Sequence, residues 1–409
     1  MKVKIDLDKE NNKSIAIIGQ IADKQKQLAF VVGGAVRDAI LKRTTTDIDI
    51  VIQGNAIKLA KEFAHEIGGK ITIYETFKTA TVVIKDNQSI DFITARRETY
   101  AKPGSLPSVC EGDIYDDLAR RDITINALAF AINKSSYGVL FDEFGGLKDL
   151  KDGVVRILHK NSFNDDPTRI FRVIRYEQRL GFKIDRWTSA QIKEAISKSV
   201  FKTISIQRYY AELKKIFEEE HTKLILQRLS QYGVFKFLTR GKVINFHTLC
   251  MVQRGVNREQ KIISSDIMVQ LFHLGFCEGF VRLNKDVALP LPKPIKSSLS
   301  HLKDIDALIT KLGSAKRAQD VYEHLGKLPE IVQYYLLVRT QRVGIIEKVR
   351  DYLQRIRLIE ISITGEDLKK LGVTSGKKMG IIKKEILLAK IDNKISTKQE
   401  ELRLAKQLM

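Results

Sequence analysis

From residue 28 to residue 94, apolar and polar positions follow two rhythms that take turns along the chain. "QLAFVVGG" is an apolar run closed by a glycine pair, which predicts a strand ending in a tight turn. "AVRDAILKR", just after it, has helical spacing. "DIDIVIQG" alternates strictly, as a strand with one buried face does, and "NAIKLAKEFAHEIGG" is an amphipathic helix closed by glycines. The runs "KITIYE", "TATVVIKD" and "SIDFITA" are rich in strand-forming residues. This order predicts a small α/β domain built on a mixed sheet. The stretch "RETYAKPGSLPSVCEGD" (97–113), with two prolines and two glycines, reads as a long loop of the kind that often carries function.

From about residue 150 onward helical periodicity takes over. "RWTSAQIKEAISKSV", "SIQRYYAELKKIFEE", "TKLILQRLSQYG", "IVQYYLLVRTQRVGIIEKVRDYLQRIRL" and "GIIKKEILLAKIDNKI" all predict helices. "RLNKDVALPLPKPIKSSLS", holding three of the seven prolines, reads as a hinge between helical units. "DDPTRIFRVIR" (165–175) predicts a helix start at Asp165-Asp166-Pro167, with either acid as cap. It also sets Arg169, Arg172 and Arg175 in a row beside apolar Ile170, Val173 and Ile174.

Composition narrows the choice of partners. The 409 residues leave room for roughly two to four compact units. They carry 70 Lys+Arg against 49 Asp+Glu, a net charge of +21. An excess this large points to a polyanion, nucleic acid first and an anionic membrane surface second. No apolar run approaches the roughly 18 residues that span a bilayer. "MKVKIDLDKENNKS" has no apolar signal core, and the basic helices carry few aromatic anchors, so no membrane partner is expected. Cys110, Cys250 and Cys277 are far apart and form neither a CxxC nor a disulfide framework, which implies reduced thiols in a cytoplasmic protein. The seven scattered histidines suggest no zinc site, and nothing in the sequence speaks to oligomeric state.

The candidate chemistry lies in the first third. On a strand, Asp47 and Asp49 project from one face while Ile48 and Ile50 turn to the other. Two such carboxylates repel unless a cation sits between them, and Mg²⁺ is the usual one because it leaves positions open for phosphate oxygens. Asp91, in "SIDFIT", supplies a third carboxylate if its strand is a neighbour. Upstream, Gly33 and Gly34 let backbone approach a ligand closely, and Arg37 lies one turn into the following helix, placed to meet phosphate. A polar strand face or a tight turn produces either pattern by itself. Together they describe a nucleoside triphosphate beside metal, hence phosphoryl or nucleotidyl transfer.

In order along the chain, "GGAVRD", "DIDI", "RRDITINALA", "FDEFGGLKDLKDGVVRIL", "DDPTRIFRVIRY" and "SIQRYYAELKKIF" resemble the class II tRNA nucleotidyltransferase and bacterial poly(A) polymerase family. The resemblance implies a polymerase-beta-like α/β head with a mixed sheet, followed by an all-helical neck, body and tail. It places the catalytic head at 1–147, the neck with the nucleotide-selecting helix at 148–235, the body at 236–330 and a basic tRNA-binding tail at 331–409. It makes Asp47 and Asp49 the Mg²⁺ ligands, with Gly34 and Arg37 on the triphosphate. Arg121 would bind nucleotide, with Asp122 and Asn126 holding the sugar or the local geometry, and Gly145 and Gly146 would form a flexible joint. Asp165 stands where Glu is common, and Gln207 where Glu usually precedes Arg208, so support of the arginine helix departs from the pattern. "ISITGEDLKKLGVTSGKKMGIIKKEI" resembles the tRNA-gripping tail but lacks its prolines.

The family assigns base selection to the arginine helix, and donor–acceptor chemistry supports that role. Asp166, acceptor-only, suits the amino groups of C and A; Arg169, donor-only, suits their ring acceptors. U and G present the reverse pattern, which costs roughly 1–3 kcal/mol for each mispaired group. Arg172 and Arg175 would reach nucleotide or hold Arg169, and Arg179 would face solvent or RNA. The expected reaction is attack of an RNA 3′-hydroxyl on the α-phosphorus of CTP or ATP, the acceptor being the tRNA 3′ end. Full CCA addition stands ahead of A-only or CC-only addition and of poly(A) synthesis. The alternative from another class is an inactive fold serving as an RNA-binding module, which has no need of the intact acids.

Overall fold

The computed structural model describes residues 9–45, 47–84, 88–235, 247–281 and 293–409. The chain falls into two compact units, Met1–Phe237 and Leu238–Met409. The first begins with α1 (Lys9–Lys24), β1 (Leu28–Val32), α2 (Gly34–Ile40), β2 (Asp47–Gln53), α3 (Ala56–Ile67), β3 (Lys70–Tyr74), β4 (Thr79–Val83) and β5 (Ser89–Thr94). With β8 (Ala129–Ala131) and β9 (Leu140–Phe141), its strands form one sheet in the order β3-β4-β5-β2-β1-β8-β9. β1 runs antiparallel to β2, and β2 parallel to β5, which makes the sheet mixed, as the residue pattern implies.

Strand alternation divides the sheet into two faces. Ile48, Ile50, Ile52, Val82 and Phe92 are buried on the face packed by α1 and α3, where Phe63 meets Phe92 at 5.5 Å. Asn55 caps α3 by accepting Lys58 N–H, and Gly68 closes it in the left-handed conformation. The other face buries Phe30, Val32, Val51, Ala129 and Ala131 against Leu118 and carries the acids.

The segment 97–113 departs from the expected long loop. β6 (Arg96–Thr99) and β7 (Ser108–Glu111) pair antiparallel as a separate ribbon, with Arg97 opposite Cys110 and Glu98 opposite Val109. Of the two prolines and two glycines that suggested a loop, Pro103, Gly104 and Pro107 lie in its turn and Gly112 follows β7. The ribbon leads into α4 (Ile114–Ala119), which Asp113 and Asp116 start with a reciprocal capping box.

The remainder of the unit is helical. α5 (Gly146–Asp152) starts where Asp142 accepts the Gly146 and Leu147 N–H groups at 2.6 and 3.0 Å. A Cβ on Gly146 would lie 2.4 Å from the Thr124 carbonyl oxygen, so this glycine answers a close approach. Then come a two-stranded parallel ribbon, α6 (Ser162–Asp165), α7 (Arg169–Leu180), α8 (Arg186–Ser197), α9 (Ile206–Phe217) and α10 (Thr222–Tyr232). α7 buries Ile170, Phe171, Val173 and Ile174, with the Phe171 ring edge-on to Phe201 and Tyr209.

Every regular element among the described residues of the second unit is a helix. The segment 331–358, expected as one helix, is two, Glu330–Arg339 and Val343–Gln354. Thr340 is extended between them and its hydroxyl accepts Arg342 N–H at 3.2 Å, a side-chain turn that competes with helix continuation. Near the C-terminus Ile363, Leu368, Val373, Ile382, Ile386 and Ala405 form a small core. Buried Glu401 there accepts the Ser362 and Ile363 N–H groups and Lys390. The expected hinge at 282–300 lies outside the described residues over 282–292, and the boundary placed at 235/236 adjoins others outside them. No helix among the described residues is long and apolar enough to cross a membrane.

Candidate active site

A cleft of about 1040 Å³ in the first unit gathers most of the residues singled out from the sequence. Its floor is the acidic face of the sheet. Alternation along β2 sets Asp47 and Asp49 side by side, and the parallel pairing places Asp91 directly across from Asp49. Thr81, next in the same row on β4, donates its hydroxyl to Asp91 Oδ1 at 2.6 Å. Burial pushes the Asp49 carboxyl above its ordinary range; Arg121 opposes this, and Asp91 and Asp47 add to it. Among the described residues no three His, Cys, Asp or Glu side chains converge to hold a metal by themselves. Asp47 and Asp49 on one strand with Asp91 across from Asp49 suit a divalent cation that takes one or two carboxylates and completes its shell with water and phosphate oxygens.

One wall rises from the glycine turn. Gly33 has φ +67°, and a Cβ there would stand 2.4 Å from Arg121 Nη1. Gly33 is thus the turn and the space for Arg121, while Gly34 lines the cleft. Arg121 is held by Asp117 at 3.0 Å and by the Asn126 carbonyl at 3.3 Å. Burial works against the Asp117 carboxylate, yet Arg121 and Arg120 together hold its pKa below the usual range.

Arg37, Asn126, Asp122 and Arg172 form one hydrogen-bonded chain from α2 to α7. Arg37 Nη1 donates to Asn126 Oδ1 at 2.6 Å, and Asn126 Nδ2 to Asp122 Oδ1 at 3.2 Å. Arg172 Nε donates to Asp122 Oδ2 at 2.7 Å. Burial of Asp122 favours the neutral acid, but Arg172 outweighs it and brings the carboxyl down to about 2. Arg37 is further fixed by Asp38, and its guanidinium lies over the Tyr176 ring at 4.9 Å.

The opening of α7 differs in detail from the expected capped start. Asp165 ends α6, Asp166 lies between the two helices, and Thr168 is the residue preceding α7. Asp166 Oδ1 accepts Thr168 N–H at 2.9 Å, Thr168 Oγ1 at 2.7 Å and Arg208 Nη2 at 2.7 Å. The other arm of Arg208 donates to the Gly104 carbonyl in the β6–β7 turn at 2.8 Å. Arg169 donates to Ser162 Oγ at 3.0 Å and to the Arg120 carbonyl at 2.8 Å. Asp166, Arg169 and Arg172 line the cleft, as does Arg179, which pairs with Glu219. Arg175 does not; it is buried between Glu212 at 3.4 Å and Glu219 at 3.3 Å.

Asp117, Arg120, Tyr100, Tyr176 and Arg208 are site residues that the sequence pattern did not single out as such. For Asp117 the signal was present in "DDLARRD", where an acid on a short helix lies three and four residues before two arginines just past its end. Tyr100 and Arg208 come from distant stretches that only the fold brings to Asp166.

Comparison with known proteins fits this geometry. Residues 29–156 match the family model described as the Poly A polymerase head domain, and 181–241 the model described as the probable RNA and SrmB-binding site of polymerase A. An A-adding tRNA nucleotidyltransferase from Geobacter sulfurreducens is 31% identical over 96% of this chain and 46% of its own length. One from Halalkalibacterium halodurans is 31% identical over 95% of this chain and 91% of its own. The solved structure titled "Thermotoga maritima CCA-adding enzyme complexed with tRNA_CCA" superposes with a TM-score of 0.70 at 29% identity, covering 98% of this chain and 95% of that one. The chain thus spans under half the length of some curated relatives and nearly all of others. It belongs to the class II tRNA nucleotidyltransferase family. Enzymes of this kind generally use divalent metal ions.

Proposed function

We propose that this chain transfers nucleotides from ATP, CTP or both to the 3′ end of tRNA without a nucleic-acid template. The observation that carries the reading is one cleft holding an acidic row on its floor and, above it, an acceptor–donor pair fixed by its neighbours, Asp166 and Arg169. Gly34, Arg37 and Arg121 receive the triphosphate, and Asp47 and Asp49 hold Mg²⁺. Bound there, Mg²⁺ would lower the pKa of the attacking hydroxyl and neutralise charge on the phosphates. Asp91 faces the 3′-hydroxyl, which attacks the α-phosphorus as pyrophosphate leaves. Asp122 and Asn126 serve as the brace between Arg172 and Arg37.

Base choice follows from the hydrogen bonds already present. Asp166 Oδ1 is taken by Thr168 and Arg208, which leaves Oδ2 to accept the amino group of A or C. Each terminal nitrogen of Arg169 has one partner and keeps a second N–H for the ring acceptor. Terminal A addition is supported by the A-adding relatives, which align along nearly the whole chain. Full CCA addition is the second reading, supported by the CCA-adding enzyme whose structure covers it equally well.

The test offers tRNA lacking CCA, lacking CA and lacking only the terminal A, with ATP and CTP separately and together, and reads products at nucleotide resolution. Extension only of the acceptor lacking A, with ATP alone sufficient, supports A addition. Stepwise completion of all three establishes the second reading. No incorporation with any pair sinks the proposal and leaves the RNA-binding module.

A further inference from the structure

Two aromatic rings stand exposed in the cleft where the reaction, as read so far, has given them no task. Phe77 is 61% exposed and Tyr74 48% exposed, and both line the same cleft as Asp49 and Asp91. They sit at the end of β3 and in the single 3₁₀ turn Glu75–Phe77 that leads to β4. Other exposed rings of this unit are different: Tyr115 stacks on Phe144, Tyr137 packs edge-on to Phe130, and neither these nor Trp187 lines the cleft. Among the described residues neither Phe77 nor Tyr74 stacks on another ring.

Their position along the sheet decides what they meet. Arg121 and the glycine turn lie on the β1 side of the acids, together with Arg37, which Asn126 and Asp122 link to Arg172 of α7. From Asp49 the row runs the other way, through Asp91 on β5 and Thr81 on β4 to Thr72 on β3. Tyr74 is two residues along β3 on the same face, opposite Thr79. Three strand spacings put that edge roughly 14 Å from Asp49. Phosphoryl transfer keeps the attacking and leaving oxygens roughly in line. With triphosphate on the β1 side, in-line attack would bring the 3′-hydroxyl from the β5–β4–β3 side and set the last nucleotides of its strand beside Tyr74 and Phe77.

We infer that Tyr74 and Phe77 form a stacking subsite for the last one or two bases of the acceptor RNA. This rests on the nucleotidyl-transfer reading and adds to it where the acceptor strand is held. Aromatic rings suit that duty because every base offers a π-face, so the strand end is gripped without regard to which nucleotide was added last. That tolerance is what an enzyme that extends its own product needs. One base on one ring corresponds to about 5- to 150-fold in affinity.

The test uses the full chain and an acceptor RNA with 2-aminopurine in its last or penultimate position. Stacking on Phe77 or Tyr74 quenches the fluorophore in the unaltered protein and in Phe77→Trp, whereas Phe77→Ala combined with Tyr74→Ala loses most of the quench. In steady state the double variant raises the KM for RNA at least about tenfold while the KM for ATP stays within about twofold, and Phe77→Trp restores it. Tyr115→Ala, an exposed ring outside the cleft, changes neither. Equal quenching and equal RNA KM in the double variant would overturn the subsite. Because quenching needs no turnover, failure of the unaltered protein to add nucleotides would count against the proposed activity and leave the stacking result readable.

Discussion

Replacing Asp122 by Asn isolates the charge that ties α7 to the wall of the cleft. The substitution keeps the shape of the side chain and a carbonyl oxygen for the Ile123 N–H, but it takes away the partner of Arg172. A buried carboxyl held at about 2, against an ordinary 3.8, corresponds to roughly 2 kcal/mol of stability at pH 7. The sign follows from the depressed value. The folded state binds the proton more weakly than the unfolded chain, so the stabilisation is fully present above about pH 4 and is lost as pH falls towards 2. The single tryptophan, Trp187, lies on α8 of the same unit and reports its unfolding. Denaturant titrations followed by Trp187 fluorescence should show Asp122→Asn less stable by roughly 2 kcal/mol at pH 7, with the gap closing between about pH 4 and pH 2. Groups elsewhere titrate alike in both proteins and cancel in the comparison. A gap under about 0.5 kcal/mol at pH 7, or one that persists unchanged at the acid end, would refute the reasoning.

Asp49→Ala should abolish incorporation while gel-shift affinity for tRNA persists; retained turnover would remove the acid row from the chemistry. Asp166→Ala should reduce discrimination against UTP and GTP by about 5- to 150-fold, the equivalent of one mispaired buried group. Single-nucleotide incorporation rates measure it, and unchanged selectivity would end the base-reading role. Gly33→Ala forces a side chain into positive φ and against Arg121 Nη1. It should cost about 1–3 kcal/mol in the Trp187 assay and raise the KM for nucleotide, and parental behaviour in both would contradict the packing described here.

The head was largely legible because its strands each bury one face, so alternation in "DIDIVIQG" fixes which residues share a side and therefore where Asp47 and Asp49 point. That Asp91 lies opposite Asp49 was a matter of strand order, which periodicity along a single strand does not encode. The ribbon at 96–111 was hidden by its turn, whose prolines and glycine outweighed two short strands in a compositional reading. The arginine row misled for a geometric reason. Residues three apart on an α-helix drift by about 60°, so Arg175 lies about 120° around from Arg169. It meets Glu212 and Glu219 on another side of the helix while Arg169 faces the cleft. Asp166, a cap candidate in the sequence, lies between α6 and α7, and its orientation is set by Arg208 from α9, more than forty positions along the chain.

Arg208 gives one arm to the Gly104 carbonyl and the other to Asp166. A lysine, with a single point of charge at its tip, cannot reproduce that fork. The turn of the β6–β7 ribbon and the acid beside α7 are therefore bound to a common ancestor of constraint. Among descendants of this sequence, insertions or deletions across residues 100–107 should be inherited together with changes at position 208, and rarely without them.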